Sequence, residues 1–91
     1  MPRIIDISQT NIVGNQVKYW RKKKKMSQKE LSERLETYAI YICRGSISRV
    51  EDGSRTVTDI ELYGLSKVFN IPVEEFFKDA ERFFDASDKP L

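Results

Sequence analysis

The sequence predicts an all-α fold, a compact bundle of five helices, and three observations support that fold class. Apolar residues recur at spacings of three and four positions, which is typical of one face of an α-helix and not of a strand. Two capping boxes, in which Ser or Thr precedes Glu by three positions, begin at Ser27 and Thr58 and predict helix starts. Gly53 and Asn70 each follow an apolar-periodic segment, as residues at helix C-termini commonly do.

The first helix is predicted to follow Asn11, a suitable N-cap, and to carry an apolar stripe of Val13, Val17 and Trp20. It ends in five consecutive cations, residues 21–25. Cations at a helix C-terminus offset the negative end of the helix dipole. Five cations exceed what that role requires, so the run has two open interpretations: a helix end, and a surface that attracts phosphate.

The second helix follows the capping box at Ser27. Leu31 and Leu35 define its buried face. Ala39 continues that stripe at the next helical position, so we expect the helix to run past Tyr38. Residues 40–42, which follow, contain no glycine or proline to mark the turn.

The third helix is predicted to begin near Cys43 or Arg44 and to end at residues 52–53. On a helical wheel Gly45 and Arg49 point most directly outward, flanked by Ser48. The positions that face the core on the same wheel are Cys43, Ile47 and Val50.

The fourth helix begins at the capping box of Thr58 and is predicted to present Leu62, Leu65, Ser66 and Phe69 to the core. Pro72 then opens a fifth helix, whose apolar stripe is expected to reach Phe84. These elements divide the chain into an N-terminal arm at 1–10, a helical domain at 11–77, and a C-terminal helix extension and tail at 78–91.

Charge is unevenly distributed along the chain. Residues 1–50 carry eleven Lys/Arg and four Asp/Glu, a net +7, whereas residues 51–91 carry five and ten, a net −5. Such asymmetry favours one surface for a polyanion and another for water or protein. The alternative is that both halves are ordinary solvated surface.

Composition also limits the functional class. The chain has no histidine, a single cysteine at residue 43, and no P-loop or GxGxxG pattern. We therefore expect no enzyme, no metal and no cofactor. The lone cysteine fits a reducing cytoplasm, and no apolar run is long enough to span a membrane.

The second and third helices together form a helix-turn-helix pattern. With its neighbours, this pattern resembles the Cro/lambda-repressor family of helix-turn-helix regulators of bacteria and phages, the xenobiotic-response-element type. The resemblance covers about residues 12–77. The matching residues are Val13-Gly14, Val17, Arg21, Ser27-Gln28, Leu31, Leu35, Ile47-Ser48-Arg49-Val50-Glu51, Gly53, Leu62, Leu65, Phe69 and Ile71 to Phe77.

The resemblance implies a lambda-repressor-like domain that binds double-stranded operator DNA, usually as a dimer. It places Arg44, Gly45, Ser46, Ser48 and Arg49 on the positions that face the major groove. Arginine can donate two hydrogen bonds to guanine, so Arg44 and Arg49 are the best candidates for reading bases. A palindromic operator would suit two copies of the chain.

The resemblance also implies contacts outside the third helix. Gln28 and Arg55 fall on phosphate-contacting positions. Independently of the resemblance, the positive charge of Lys22, Lys23, Lys24 and Lys25 predicts attraction to phosphate. Arg21 and Glu51 fall on a structural ion pair. The connection between the second and third helices is longer than in the shortest family members by roughly five residues, where a minimal motif has a 3–4-residue turn. Tyr38 and Tyr41 within it are expected either to pack over the turn or to contact phosphate.

The leading hypothesis is therefore a sequence-specific transcriptional regulator, most simply a repressor, that reads DNA with residues 44–51. The alternative is an antitoxin or protein-interaction module built on the same fold, suggested by the acidic C-terminal half. A homodimer is expected to form through the C-terminal helix, at the stripe that reaches Phe84.

Overall fold

A computed structural model describes residues 9–84 of the 91-residue chain. Its α-helices are α1 (Gly14–Lys23), α2 (Gln28–Glu36), α3 (Arg44–Glu51) and α4 (Asp59–Phe69), followed by two 3-10 helices, η1 (Val73–Phe77) and η2 (Ala80–Phe83). Most of the expected arm, residues 1–8, and the end of the expected tail, residues 85–91, lie outside the described residues. Within the described range no helix is long and apolar enough to cross a membrane.

Helix starts are determined by side chains that accept from free backbone amides. Ser27 and Thr58 each form the predicted capping box, with Glu30 and Glu61 respectively. The N-cap of α1 is Val13 and not the predicted Asn11. The side chain of Asn11, two residues upstream, nevertheless accepts from the amides of Val13 and Gly14 at 3.0 and 2.7 Å.

All four α-helices end in the same backbone arrangement. In each, a residue in the left-handed region follows the helix, and two amides bond back to carbonyls of the last turn, as in a Schellman motif. Two of these residues, Gly53 (φ 84°) and Asn70 (φ 56°), were predicted from their chemistry. The other two, Lys25 (φ 59°) and Ala39 (φ 60°), belong to residue types that rarely adopt this conformation.

The predicted extension of α2 past Tyr38 was wrong, because α2 ends at Glu36. Ala39 is exposed in the left-handed turn and does not continue the buried stripe. The connection to α3 instead reaches the core through Ile42, which is buried, while the Ser32 hydroxyl donates to the Ile42 carbonyl at 2.6 Å. The connection is therefore a packed segment of the domain.

The predicted fifth α-helix is replaced, within the described residues, by η1 and η2. Lys78 is extended and Asp79 is left-handed (φ 61°), so the helical path is interrupted after Phe77. Phe76 is fully buried, with its ring centroid 6.2 Å from that of Phe69, whereas Phe77 is 43% exposed. A continuous apolar stripe to Phe84 does not form.

The core lies where α1 and α4 pack against the α2–α3 pair and η1. The largest fully buried side chains belong to α1, α2, α4 and η1. Helix α3 contributes Ile47 and Val50, which are 2% and 3% exposed. The buried apolar residues are Val13, Val17, Leu31, Leu35, Ile42, Ile47, Val50, Leu65, Val68, Phe69 and Phe76. Only one face of α3 is therefore buried in the core.

Candidate nucleic-acid interface

Helix α3 presents an exposed polar face. It spans Arg44–Glu51, the range predicted from the sequence, with Ile47 and Val50 directed into the core. The predicted base-reading residues Arg44, Gly45, Ser48 and Arg49 are exposed, and Ser46 is half-buried. The structure thus brings all five onto one accessible stretch of helix.

The N-terminal turn of α3 organises one of the two candidate arginines. The Arg49 guanidinium donates to the Ser46 hydroxyl at 2.9 Å, which directs it along the helix toward the N-terminus. Cys43 lies at the same turn, with its Sγ 3.4 Å from that hydroxyl. Hydrogen bonds from Ser46 lower the pKa of the exposed Cys43 thiol.

The prediction that Cys43 faces the core was wrong. Cys43 is the N-cap of α3 and has extended backbone (φ −71°, ψ 163°), so its side chain does not follow the helical wheel that places Ile47 and Val50 inside. It is exposed. The neighbouring residue Ile42 occupies the core at this point.

An ion pair joins α1 to the end of α3. Arg21 donates from Nε to one oxygen of Glu51 at 2.6 Å and from Nη2 to the other at 3.1 Å. Their side chains are only 10% and 4% exposed. Gln28 adds a bond from Nε2 to Glu51 at 3.1 Å, and Arg21 Nη1 donates to the Met26 carbonyl at 2.9 Å. The network connects α1, the start of α2 and α3 in one hydrogen-bonded cluster.

A second connection forms where α1 begins. The Asn11 amide donates to the carbonyls of Val50 at 3.0 Å and Arg55 at 2.7 Å. Gly14 lies so close to Val50 that a Cβ atom at residue 14 would be 1.9 Å from the Val50 carbonyl oxygen. These contacts fix the C-terminal end of α3 at the start of α1, opposite the Arg21 network. Capping preference places Asn11 at the start of α1 but carries no signal for its bonds to the Val50 and Arg55 carbonyls.

The basic end of α1 lies beside α3. Lys22, Lys23, Lys24 and Lys25 are all exposed. Lys22 and Ser48 line a common cleft of about 270 Å³ together with Lys18 and Gln28. The ammonium groups of Lys23 and Lys24 lie 5.4 and 5.9 Å from the Trp20 ring centroid, within cation–π distance. Of these four lysines, Lys22 therefore lies beside the exposed face of α3, in a cleft that Glu51 and Asp52 also line.

Arg55 lies in the loop between α3 and α4 and is partly enclosed. It donates to both carboxylate oxygens of Glu61, each at 3.0 Å, and to the Thr56 carbonyl at 2.9 Å. The Arg55 hydrogen bond holds the pKa of the Glu61 carboxyl below its ordinary value. Glu61 also closes the capping box of α4, so one carboxylate organises the loop and the next helix. Neither helical periodicity nor capping preference predicts this pair.

Tyr38 and Tyr41, in the α2–α3 connection, are 51% and 77% exposed. Their exposure disfavours the expectation that they are packed over the turn. Their hydroxyls remain accessible.

The two-helix unit α2–α3, supported by α1 and α4 and bordered by cations, defines the class: a DNA-binding helix-turn-helix domain of the transcription-regulator type. A family model described as helix-turn-helix, HTH_3, matches residues 17–76. The chain therefore belongs to the HTH_3 family. No curated protein matches the sequence significantly.

Solved structures share the fold. The restriction-modification controller protein C.AhdI from Aeromonas hydrophila superposes with a TM-score of 0.63 at 24% identity, over 72% of this chain and 92% of that one. An HTH_3 family transcriptional regulator from Vibrio cholerae gives a TM-score of 0.64 at 17% identity, over 77% of this chain and 36% of that one. At these identities the likeness concerns the fold.

Proposed function

We propose that this protein is a sequence-specific double-stranded DNA-binding regulator that reads the major groove with α3 and acts as a cytoplasmic repressor. The observation that carries the proposal is the division of α3 into two faces. Ile47, Val50 and Glu51 fix it to the domain, and Arg44, Ser48 and Arg49 are left accessible. A helix held in this way can enter the major groove without losing its support.

Base reading is assigned to the first two turns of α3. Arg44 lies in the first turn, where recognition helices place residues against base edges. Arg49 and Arg44 can each donate a bidentate pair to guanine O6 and N7. The hydroxyls of Ser46 and Ser48 can donate or accept, and Gly45 lets the backbone approach closely, since a Cβ there would meet only Arg49 Nη1, at 3.9 Å.

Phosphate contacts are assigned to side chains that keep N–H donors not used in hydrogen bonds within the protein. Gln28 uses one amide hydrogen on Glu51 and keeps a second. Arg55 has five N–H donors and makes three bonds within the protein, so two remain. Lys22 to Lys25 add sequence-independent attraction through counterion release.

Repression is the simplest consequence of such binding, because a protein that occupies a promoter blocks it without further contacts. We also propose that two copies bind a palindromic operator. One recognition helix contacts only a few base pairs, and half-sites one helical turn apart match a symmetric pair of domains.

The direct test is selection of bound duplexes from a random library, followed by competition against unrelated DNA at increasing salt. We expect an inverted-repeat consensus and affinity for it that exceeds non-specific binding by at least about 10³-fold. Equal affinity for all sequences at every salt concentration would contradict a sequence-specific regulator. A promoter fusion carrying the selected site then tests repression.

A further inference from the structure

An exposed apolar area lies away from α3, along α4. Ile60 and Tyr63 on α4 are 69% and 59% exposed, and Tyr38 across from them is 51% exposed. These side chains border a groove of about 640 Å³ between α4 and the end of α2, lined also by Ile40. Apolar patches rimmed by charge commonly mark protein interaction sites.

The outer surface of α4, defined by Asp59, Ile60, Tyr63 and Lys67, is here called the α4 face. Asp59, Tyr63 and Lys67 are spaced by four residues and form one ridge along the helix. The ridge has opposite charges at its two ends and an aromatic ring at its centre. The Lys67 ammonium lies 5.1 Å from the Tyr63 ring centroid, which keeps it on this ridge. Neither Asp59 nor Lys67 forms an ion pair with another described residue.

This charge pattern is self-complementary. In a symmetric pair of antiparallel helices centred on Tyr63, each residue faces the one equally far from the centre on the other helix. Asp59 lies four positions before Tyr63 and Lys67 four positions after it. Asp59 of one copy therefore meets Lys67 of the second copy, and the opposite pair forms by symmetry.

We propose that the α4 face is the homodimer interface, with a second copy of this chain bound antiparallel across Tyr63. The expected stripe at the C-terminus is a weaker candidate, because Phe76 is fully buried and η1 and η2 leave Phe77 as their one exposed large apolar residue. On the α4 face, two exposed apolar side chains and two complementary charges occur together. The operator-binding function uses this dimer, but the dimer itself is testable without DNA.

The experiment is a charge exchange on the full chain, followed by sedimentation equilibrium in the absence of DNA at low and high salt. Asp59→Lys places lysine opposite Lys67 twice per dimer, and Lys67→Asp places aspartate opposite Asp59 twice. Each variant alone is expected to weaken self-association by about tenfold. An equimolar mixture of the two variants is expected to recover association, because each pair again has opposite charges.

Tyr63→Ala removes the centre of the interface and is expected to weaken the dimer by at least about tenfold. Glu81→Lys is the matched control, because it makes the same charge change at an exposed position outside the α4 face. Thermal unfolding of every variant separates impaired association from impaired folding. A chain that is monomeric at all concentrations, a dimer unaffected by both charge changes, or a mixture that stays dissociated would each overturn the proposal. None of these outcomes depends on whether the protein binds DNA.

Discussion

The carboxylate of Glu51, the last residue of α3, accepts a two-point hydrogen bond from the Arg21 guanidinium of α1. Both side chains are nearly enclosed, so neither charge is solvated if its partner is removed. A domain of this size has only modest stability to lose. Besides the core contacts of Ile47 and Val50, the candidate recognition helix is therefore held by an arginine from a different helix.

Arg21→Ala is expected to destabilise the domain by about 3–5 kcal/mol, because it leaves Glu51 buried and uncompensated. Arg21→Lys should also lose stability, since an ammonium cannot reproduce the two-point geometry. Chemical denaturation measures both. Lys22→Ala, at the exposed neighbouring position, is the control and should change stability by no more than about 0.5 kcal/mol. Equal effects at residues 21 and 22 would show that the pair contributes little.

Gly14→Ala is expected to destabilise the domain by about 2 kcal/mol or more, although alanine is the better helix former. A Cβ at residue 14 would lie 1.9 Å from the Val50 carbonyl oxygen, so α1 and α3 must separate. Gly45→Ala is the matched control, since the nearest atom to its Cβ is 3.9 Å away. It should stabilise α3 by up to about 1 kcal/mol. Urea unfolding of the two variants should give changes of opposite sign.

Ala39→Gly is expected to stabilise the domain by about 0.5–1 kcal/mol. The left-handed φ of 60° is unfavourable for alanine, and removing that cost exceeds the extra entropy of glycine in the unfolded chain. Lys29→Gly, within α2, should instead destabilise by about 1 kcal/mol. Chemical denaturation measures both, and a decrease in stability for Ala39→Gly would contradict the assigned backbone strain.

The stability of the fold is expected to depend on pH through Glu61. Its carboxyl pKa is lowered by the hydrogen bond from Arg55, so the folded state favours the ionised form. The associated stability is present above the unfolded value near 4.5 and is lost as the pH falls below it toward the folded pKa. Glu61→Gln should therefore be less stable than the parent at pH 7 and lose less stability on acidification. Thermal melts from pH 7 to 3 measure this, with the exposed Glu36→Gln as control, and parallel curves would exclude the Arg55–Glu61 contribution.

The side chains proposed to contact DNA should separate into two classes. Arg44→Ala and Arg49→Ala are each expected to weaken binding by about 1–3 kcal/mol and to relax the preferred sequence, because each removes hydrogen bonds to a base. Alanine at Lys22 or Lys24 should weaken all sequences alike, with the log–log salt slope falling by about 0.9 for each phosphate that is no longer neutralised. Competition binding at several salt concentrations distinguishes them. Identical behaviour of the two sets would mean that α3 does not read bases.

The sequence predicted much of this fold because its helix ends carry explicit chemistry. Helix starts are marked by the capping boxes at Ser27 and Thr58. Helix ends are marked by Gly53 and Asn70. At Ala39 that local signal was missing. The turn there places Ile42 in the core. This is a tertiary contact, which the conformational preferences of single residues do not predict.

The candidate site was predictable in outline for a related reason. A periodic pattern gave the inner and outer faces of α3, and only Cys43 failed, because it precedes the helix and does not follow its period. Helical periodicity cannot predict contacts between residues that are far apart in the sequence. The bonds from Asn11 to Val50 and from Arg55 to Glu61 depend on how α1, α3 and α4 meet. Similarly, the left-handed Asp79 separates η1 from η2.

The separation of the two faces of α3 also bears on how such a protein changes over time. The residues that fix the helix, Ile47, Val50 and Glu51, are distinct from the exposed Arg44, Ser48 and Arg49. Substitutions at exposed helix positions usually alter stability by no more than about 0.5 kcal/mol. On the proposed function, the outward positions can therefore diverge under selection for a new operator while the domain still folds. The choice of target would then be encoded by very few codons.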